Sequence, residues 1–281
     1  MKLGIAMFPA DFAIRPDELA RAVEERGFES LFLPEHTHLP ATERTRGEVG
    51  QLPDHFSHTH DLFVALSYAA AATTELRVAT GICLVPQRDP IATAKAVATL
   101  DALSGGRVLF GVGAGWIPEE LENHGTDPGQ RWAVLAERVK AMREIWTNDV
   151  AEFHGRHVDF GPVWSWPKPR QTPHPPVLVG GSGANVARRV LDFGDEWMPH
   201  AGMPLDELSA RISALRQAGR DAGRTDDVPV TVFGAEPDAA GLEALRDLGV
   251  HRAVLYAPPV GADGVKSFLD TVAPLVTKFQ N

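Results

Sequence analysis

The chain of 281 residues contains one cysteine, Cys83, and only 7% aromatic residues. One thiol cannot form an internal disulfide, and its scarcity predicts a reducing, cytoplasmic setting. The sequence also lacks an apolar run long enough to span a membrane, because the most apolar helix, at 65–72, is followed at once by Thr73, Thr74 and Glu75. The opening segment MKLGIAMF lacks the longer apolar core and cleavage site that are typical of a signal peptide.

Clusters of positive charge are also missing. The chain carries 27 Lys and Arg against 37 Asp and Glu, which gives a net charge of −10, and the cations are scattered. Proteins that bind nucleic acid need a basic patch to contact the phosphates. We therefore expect no nucleic acid and no membrane among the partners, and a small molecule as the substrate.

What the sequence does contain is an alternation of short apolar segments and amphipathic helices, repeated eight times. The apolar segments are 3–8, 30–33, 77–85, 107–112, 177–179, 196–198, 228–233 and 253–256. The predicted helices are 16–26, 61–73, 91–104, 130–147, 184–193, 205–222, 239–248 and 265–278. Near-continuous strand hydrophobicity indicates parallel strands that are buried on both faces. Eight units predict an α/β fold, a (β/α)8 TIM barrel formed by one domain over 1–281, with its active site at the carboxyl ends of the strands.

Two segments interrupt this alternation. Residues 37–60 form a polar, histidine-containing loop that is longer than most strand-to-helix connections, which indicates a functional role. Residues 151–176 combine a predicted hairpin around Gly155 with a proline-rich extended run. We expect this second insertion to help enclose the substrate.

Glycine-rich turns follow two of the predicted strands. The first, Gly111 to Trp116, fails as a dinucleotide fingerprint because Trp116 stands where close helix packing requires Gly or Ala. It is either a tight structural turn or a place where the backbone approaches a planar ligand. The second, Gly180-Gly181-Ser182-Gly183, exposes backbone N–H groups before a helix, which favours phosphate binding. A serine cap flanked by flexible glycines is the structural alternative.

Glu35 and His36 come directly after the second predicted strand, where catalytic groups of a barrel gather. His36 and His38 have the spacing of a metal-binding pair, so a metal-dependent hydrolase is an alternative. A metal site would need further ligands at the other strand ends, where only Asp11 and His200 have suitable side chains. Asp101, Glu119 and Glu120 have no evident partner and are interpreted as surface or capping residues.

The segments LFLPEHTHLP, ATGICLVPQRDP, GRVLFGVGAGW, PPVLVGGSG and GDEWMPH, in this order, resemble the luciferase-like flavin and deazaflavin oxidoreductases. Within that superfamily the chain resembles the coenzyme F420-dependent branch. The resemblance covers 1–278. It implies a TIM barrel, an oxidoreductase that transfers a hydride between F420 and a small organic substrate, and a homodimer.

The resemblance also assigns roles to individual residues. Glu35 and His36 match the acidic residue and histidine beside the coenzyme ring, with His36 as the catalytic residue. The other implied cofactor contacts are Thr80, Gly81 and Ile82 at a strand-three bulge with a cis peptide between Gly81 and Ile82, Gly113 and Gly115 beneath the ring, Gly180, Gly181, Ser182 and Gly183 at the phosphate, and His200 near the coenzyme side chain. We expect Arg44, Arg46, Lys168 and Arg170 to bind its acidic tail.

One position departs from the family pattern. Trp116 stands where the sugar-phosphate dehydrogenases of this family carry a glutamate as proton donor, so that chemistry is not expected here. An FMN-dependent monooxygenase, which shares the fold and the phosphate turn, is the main alternative to an F420 enzyme. A flavin-binding protein without catalytic activity is a further one.

Overall fold

A computed structural model describes residues 1–280, in which eight parallel strands form a barrel. The strands are β1 (Lys2–Ala6), β2 (Ser30–Leu33), β3 (Arg77–Leu84), β4 (Val108–Gly113), β7 (Val177–Gly180), β8 (Glu196–Met198), β9 (Thr231–Ala235) and β10 (Arg252–Tyr256). Neighbouring strands pair in the order β8-β7-β4-β3-β2-β1-β10-β9. Two isolated parallel bridges, Trp197 to Val230 and His200 to Phe233, join the two ends of this sheet. The predicted TIM barrel is therefore confirmed.

Helices cover the outside of the barrel. They are α1 (Pro16–Glu25), α2 (Glu43–Val49), α3 (Leu62–Ala71), α4 (Pro90–Ser104), α5 (Pro118–Asn123), α6 (Arg131–Thr147), α7 (Val186–Phe193), α8 (Leu205–Asp221), α9 (Ala239–Asp247) and α10 (Ala262–Gln280). Helix α4 illustrates how local sequence sets their ends. Asp89 caps it by accepting a hydrogen bond from the N–H of Ala92 (2.7 Å), Pro90 occupies the first turn, and Gly105 ends it at φ 77°. None of the helices within residues 1–280 is long and apolar enough to cross a membrane.

The barrel interior is filled by one buried side chain from each of the eight strands. These are Ala6, Phe32, Ala79, Leu109, Leu178, Met198, Phe233 and Val254. A second, larger core lies between the strands and the surrounding helices. Because the interior is packed with side chains, space for a ligand is left above this layer, at the carboxyl ends of the strands.

A buried ion network closes the opposite end of the barrel. Arg252, which is 1% exposed, donates to both carboxylate oxygens of Glu29 (2.7 and 2.8 Å) and to the hydroxyl of Thr231 (3.0 Å). The Thr231 hydroxyl donates in turn to Glu196. Burial opposes ionisation of Glu29, but Arg252 outweighs it and lowers the pKa of Glu29 to about 2. Burial raises the pKa of Glu196.

The structure of the two insertions matches the predictions only in part. The loop at 37–60 contains helix α2, which the polar sequence did not suggest. The predicted hairpin at 151–176 is confirmed as β5 (Ala151–His154) and β6 (Asp159–Val163), and it packs on α6, where Glu137 accepts from the N–H of His157 (2.6 Å). None of its residues lines the cavity at the carboxyl ends of the strands, so the expectation that it helps to enclose a substrate there is wrong.

Two carboxyl groups interpreted as surface or capping residues are in fact fully buried. Asp101 accepts hydrogen bonds from the backbone and side chain of Gln171 (2.9 and 2.7 Å), which fixes the proline-rich run against α4. Glu120 lies on α5 beneath the loop at 37–60. The sequence-based interpretation of both residues is therefore wrong.

Candidate active site

A cavity of about 440 Å³ opens at the carboxyl ends of the strands. Its lining is mostly apolar and aromatic and comprises Phe8, Pro34, Glu35, His36, Phe56, Gly81, Ile82, Leu84, Gly113, Ala114, Gly115, Trp116, Trp132, Gly180, Gly181, Met198, His200, Phe233 and Tyr256. A concave apolar site with a few polar groups is what a small organic molecule or cofactor requires. Nine of the twelve residues predicted to contact a cofactor lie in this wall.

The floor of the cavity is formed by the bulge in β3. The peptide between Gly81 and Ile82 is cis, which confirms the prediction, and the pairing of β3 with β4 slips between Thr80 and Cys83. The side chain of Ile82 lies flat over two glycines. A Cβ atom at Gly113 would stand 1.8 Å from Cδ1 of Ile82, and one at Gly180 would stand 3.2 Å from its Cγ2. These glycines are therefore needed for the close approach of Ile82.

His36 forms a buried pair with Glu120. Nδ1 of His36 lies 3.0 and 3.1 Å from the two carboxylate oxygens of Glu120, and the side chains are 5% and 0% exposed. The other ring nitrogen, Nε2, has no hydrogen-bond partner within residues 1–280, although the ring lines the cavity. The imidazole is thus held on one side and available to a ligand on the other.

Glu35, next to His36, has a different environment. Its carboxylate accepts hydrogen bonds from the backbone N–H of Leu84 (2.6 Å) and from the guanidinium of Arg88. Both oxygens are thereby engaged, so Glu35 lines the cavity while its charge is neutralised by Arg88. This ion pair fixes the end of β2 against the turn that follows β3.

The opposite wall carries His200 and Tyr256. His200 follows β8 and its ring lies 6.4 Å from those of Tyr256 and Phe233. Tyr256 is 38% exposed, and its partial burial raises its pKa to about 12. Tyr256 therefore presents a neutral hydroxyl donor to the cavity. The sequence reasoning missed it, although it ends the eighth predicted strand, where barrel ligands are expected.

An aromatic rim surrounds the mouth. Phe56, from the 3₁₀ turn at Asp54–Phe56, lies 4.7 Å from Phe8 and 5.3 Å from His36, measured between ring centroids. Trp116 completes the rim at 6.5 Å from Phe56 and is 49% exposed. The sequence indicated that the 37–60 loop is functional, but it did not single out Phe56.

The glycine-serine turn lies beside the cavity. Gly180 and Gly181 line it, whereas Ser182 and Gly183 are exposed at the start of α7. Within residues 1–280, the N–H groups of Ser182 to Asn185 have no acceptor, while the carbonyl oxygens of Gly181 and Ser182 are fixed by Trp197 (2.8 Å) and Arg211 (2.6 Å). Consecutive free donors at a helix start are groups that can bind an anion.

Three arginines, here named the arginine cluster, lie near this turn: Arg131, Arg188 and Arg189. The Arg189 guanidinium stacks on Trp132 at 3.5 Å from the ring centroid, and Trp132 is also the nearest neighbour of a Cβ placed at Gly181. Burial lowers the pKa of Arg189, and repulsion from Arg188 and Arg131 lowers it further. Mutually repelling cations without a carboxylate partner among the described residues indicate a site for anions.

The cations chosen from the sequence are placed differently. Lys168 donates to the carbonyls of Ile145 and Asn148 near the end of α6, and Arg170 packs on Gly106, just before β4. Both lie at the amino ends of the strands, so the expectation that they bind a coenzyme tail is wrong. Arg44 lies on the side of the barrel where the strands have their carboxyl ends, but it is paired with Glu122 and Glu48.

Two further predictions concern ligands. Thr80 does not line the cavity, because its buried hydroxyl donates to the carbonyl of Gly111 (2.6 Å) and joins β3 to β4. His58 pairs with Asp11 (3.1 Å) and His38 with Asn123 (2.9 Å). Across residues 1–280, no group of three or more His, Cys, Asp or Glu side chains is placed to hold a metal ion.

The eight-stranded barrel, with its bulge in β3 and its cavity at the carboxyl ends of the strands, places the protein in the class of TIM-barrel proteins. The model of the luciferase-like monooxygenase family matches residues 15–247, and this chain belongs to that family. The resemblance noted from the sequence motifs is therefore confirmed. The fold neighbours include F420-dependent oxidoreductases.

Individual relatives cover different shares of the chain. Uncharacterized protein Mb0978c of Mycobacterium bovis is 37% identical over 279 residues, which cover 97% of this chain and 98% of that protein. The FMNH2-dependent dimethylsulfone monooxygenase of Pseudomonas putida is 31% identical over 60% of this chain and 47% of that enzyme. The coenzyme F420-dependent tetrahydromethanopterin reductase of Methanopyrus kandleri has the same fold, with a TM-score of 0.72 at 17% identity over 97% of both chains.

Proposed function

We propose that this protein is a coenzyme F420-dependent oxidoreductase acting on a small organic molecule in the cavity above β3. The observation that carries this proposal is the continuous path from the apolar cavity, along the free N–H groups at Ser182 to Asn185, to the arginine cluster. The apolar surface, the N–H donors and the cations follow one another in the same order as the planar ring, the phosphate and the acidic tail of the coenzyme. Bound F420 would supply or accept the hydride.

The cavity floor fits a planar ring. Ile82 presents a flat apolar surface because Gly113 and Gly180 leave it room, and no polar side chain interrupts the floor between them. The glycine-serine turn would hold the phosphate through backbone N–H groups. Gly183 offers space there, because a Cβ atom at that position meets nothing closer than Arg189, at 4.0 Å.

His36 would exchange the proton that accompanies hydride transfer. It stands on the wall beside the floor with one nitrogen free, and an imidazole can both donate and accept a proton, which suits a general acid or base. Tyr256 and His200, on the opposite wall, would orient the substrate. Phe56 and Trp116 would limit the access of water from above, because their rings form the rim.

An FMN-dependent monooxygenase is the second candidate. It is supported by the family match and by the FMNH2-dependent relative. FMN also carries a ring and a phosphate, so the cavity and the turn alone suit either coenzyme. The arginine cluster favours F420, because three cations beyond the phosphate turn give a longer acidic tail its counter-charges in a chain of net charge −10.

We expect the apoprotein to bind F420 at least about tenfold more tightly than FMN, the ratio that roughly 1.4 kcal/mol of extra tail contact produces. The measurement is a fluorescence titration with F420, FMN and FAD, each added separately to the same preparation. FMN binding equal to or tighter than F420 binding would contradict the assignment and favour the monooxygenase.

Replacing Gly183 by valine is expected to weaken F420 binding by about tenfold to a hundredfold, because the side chain would cover one or two charge-assisted N–H donors worth about 1.5–3 kcal/mol each. The folding cost is small, since the backbone there is not left-handed and the space is open. Titration with F420 measures the change. Gly161→Val, at an equally open position on the β6 strand of the hairpin, is the control and should bind like the parent. Unchanged binding by Gly183→Val would place the phosphate elsewhere.

A further inference from the structure

The carboxylate of Glu120 lies against the proposed catalytic histidine, and its burial requires an explanation. Glu120 is fully buried on α5, a helix of six residues, and its hydrogen-bond partner among the described residues is Nδ1 of His36. A buried carboxylate is costly unless a partner donates to it. The neighbouring Glu119 shows the ordinary alternative, since it is partly exposed to solvent and accepts from the hydroxyls of Thr42 and Thr45.

We infer that Glu120 is the positioning residue of the site: it holds the proton of His36 on Nδ1 and leaves Nε2 as the atom that exchanges a proton with the substrate. This inference rests on the proposed function for its chemical meaning, although the pair itself is independent of any coenzyme. Both carboxylate oxygens lie within 3.1 Å of Nδ1, so the ring has no freedom to reverse its two nitrogens without losing this contact. Which nitrogen carries the proton in a neutral histidine is set by the bond that the other makes.

The consequence for the reaction is that the proton is exchanged at one ring nitrogen, Nε2, in both directions. When a hydride adds to one atom of a polar double bond in the substrate, the electron pair of that bond moves to the neighbouring atom, and Nε2–H of the imidazolium would donate a proton to that neighbouring atom. In the reverse direction, Nε2 of the neutral ring would take this proton, the double bond would form again, and the hydride would leave the substrate. In both directions the Nδ1 proton stays on the ring and the Glu120 carboxylate stabilises the charged imidazolium, as a carboxylate does in the Ser-His-Asp triad.

The experiment is a nitrogen NMR measurement on the apoprotein labelled with ¹⁵N-histidine, under conditions where the His36 ring is neutral. The signal is assigned by its loss in His36→Asn. We expect the parent protein to carry the proton on Nδ1. In Glu120→Gln, the ratio of the Nδ1–H to the Nε2–H form should fall by about tenfold or more, the factor that corresponds to about 1.4 kcal/mol.

The matched control is Glu119→Gln, which makes the same chemical change one residue away and should leave the ratio as in the parent. A proton on Nε2 in the parent protein overturns the inference, and so does an unchanged ratio in folded Glu120→Gln. The parent measurement decides the matter even if Glu120→Gln does not fold. F420 titration of the same samples separates this result from the proposed function: failure to bind F420, with the proton on Nδ1, rejects the coenzyme and leaves the pair intact.

Discussion

Replacing Arg252 by methionine is expected to lower the free energy of unfolding by about 3–5 kcal/mol, because it removes the buried cation that Glu29 and Glu196 share at the closed end of the barrel and leaves Glu29 only the partly exposed Lys2, at 3.4 Å. Arg252 is 1% exposed and contacts Glu29 and, through its Nη1, Glu196 at 3.5 Å. Methionine fills a similar volume, so the loss reports on charge and not on a cavity. Urea unfolding followed by circular dichroism measures it.

Arg26→Met is the control, since the Arg26 ion pair with Asp270 is solvent-exposed on the carboxylate side and should contribute about 0–1 kcal/mol. At acidic pH, the difference in the free energy of unfolding between Arg252→Met and the parent protein should become smaller. The pKa of Glu29 lies at about 2 in the folded protein and at 4.5 ordinarily, so its stabilising effect is complete above about pH 4.5 and is lost as the pH falls toward 2. A cost below about 1 kcal/mol at neutral pH would mean that water reaches this network.

The double variant Arg188→Gln, Arg189→Gln is expected to weaken F420 binding by about tenfold or more and FMN binding by less. Both coenzymes would use the backbone donors of the glycine-serine turn, but only F420 would extend an acidic tail toward the arginine cluster. A charge-assisted hydrogen bond contributes about 1.5–3 kcal/mol, and partial exposure reduces that value for each arginine. Parallel fluorescence titrations with the two coenzymes measure the ratio.

The chain offers a control with the same change in net charge. Lys168→Gln, Arg170→Gln removes two cations at the amino ends of the strands, which is the opposite face of the barrel. Charges separated by more than a Debye length, about 8 Å at physiological ionic strength, are largely screened, so this variant should bind both coenzymes like the parent. Equal losses for F420 and FMN in the Arg188, Arg189 variant would show that the cluster contacts no tail.

The barrel could be predicted because its signal is repeated and local. Each strand is an apolar run, and the helices between them are long enough to show their period. Helix α5 was missed because six residues beginning at Pro118 are too few for a period to emerge, and Glu120 was therefore interpreted as a surface group. Phe56 escaped notice because nothing in a polar loop distinguishes an aromatic residue that turns inward.

The placement of Lys168 and Arg170 was wrong for a different reason. They belong to a segment that follows a helix and precedes a strand, and such connections lie at the amino ends of the strands in a parallel barrel, away from the active site. The order of helices and strands along the chain was therefore enough to predict that Lys168 and Arg170 lie away from the active site. Arg188 and Arg189 follow the glycine-serine turn, which lies at the carboxyl ends of the strands. Their proximity to Arg131 depends on how α6 and α7 pack and could not be predicted from the sequence. The homodimer stays a prediction.

Strand β10 joins the two ends of the molecule, with Arg252 in the ion network at its start and Tyr256 in the cavity wall at its finish. At roughly 3.3 Å per residue, these two side chains stand about 13 Å apart along the strand. Substitutions separated by more than about 7–10 Å and without shared partners usually have additive effects on stability. Substitutions that reshape the cavity for new ligands can therefore be combined with substitutions at the closed end that restore the lost stability. The two sets can be selected separately and then joined in one protein.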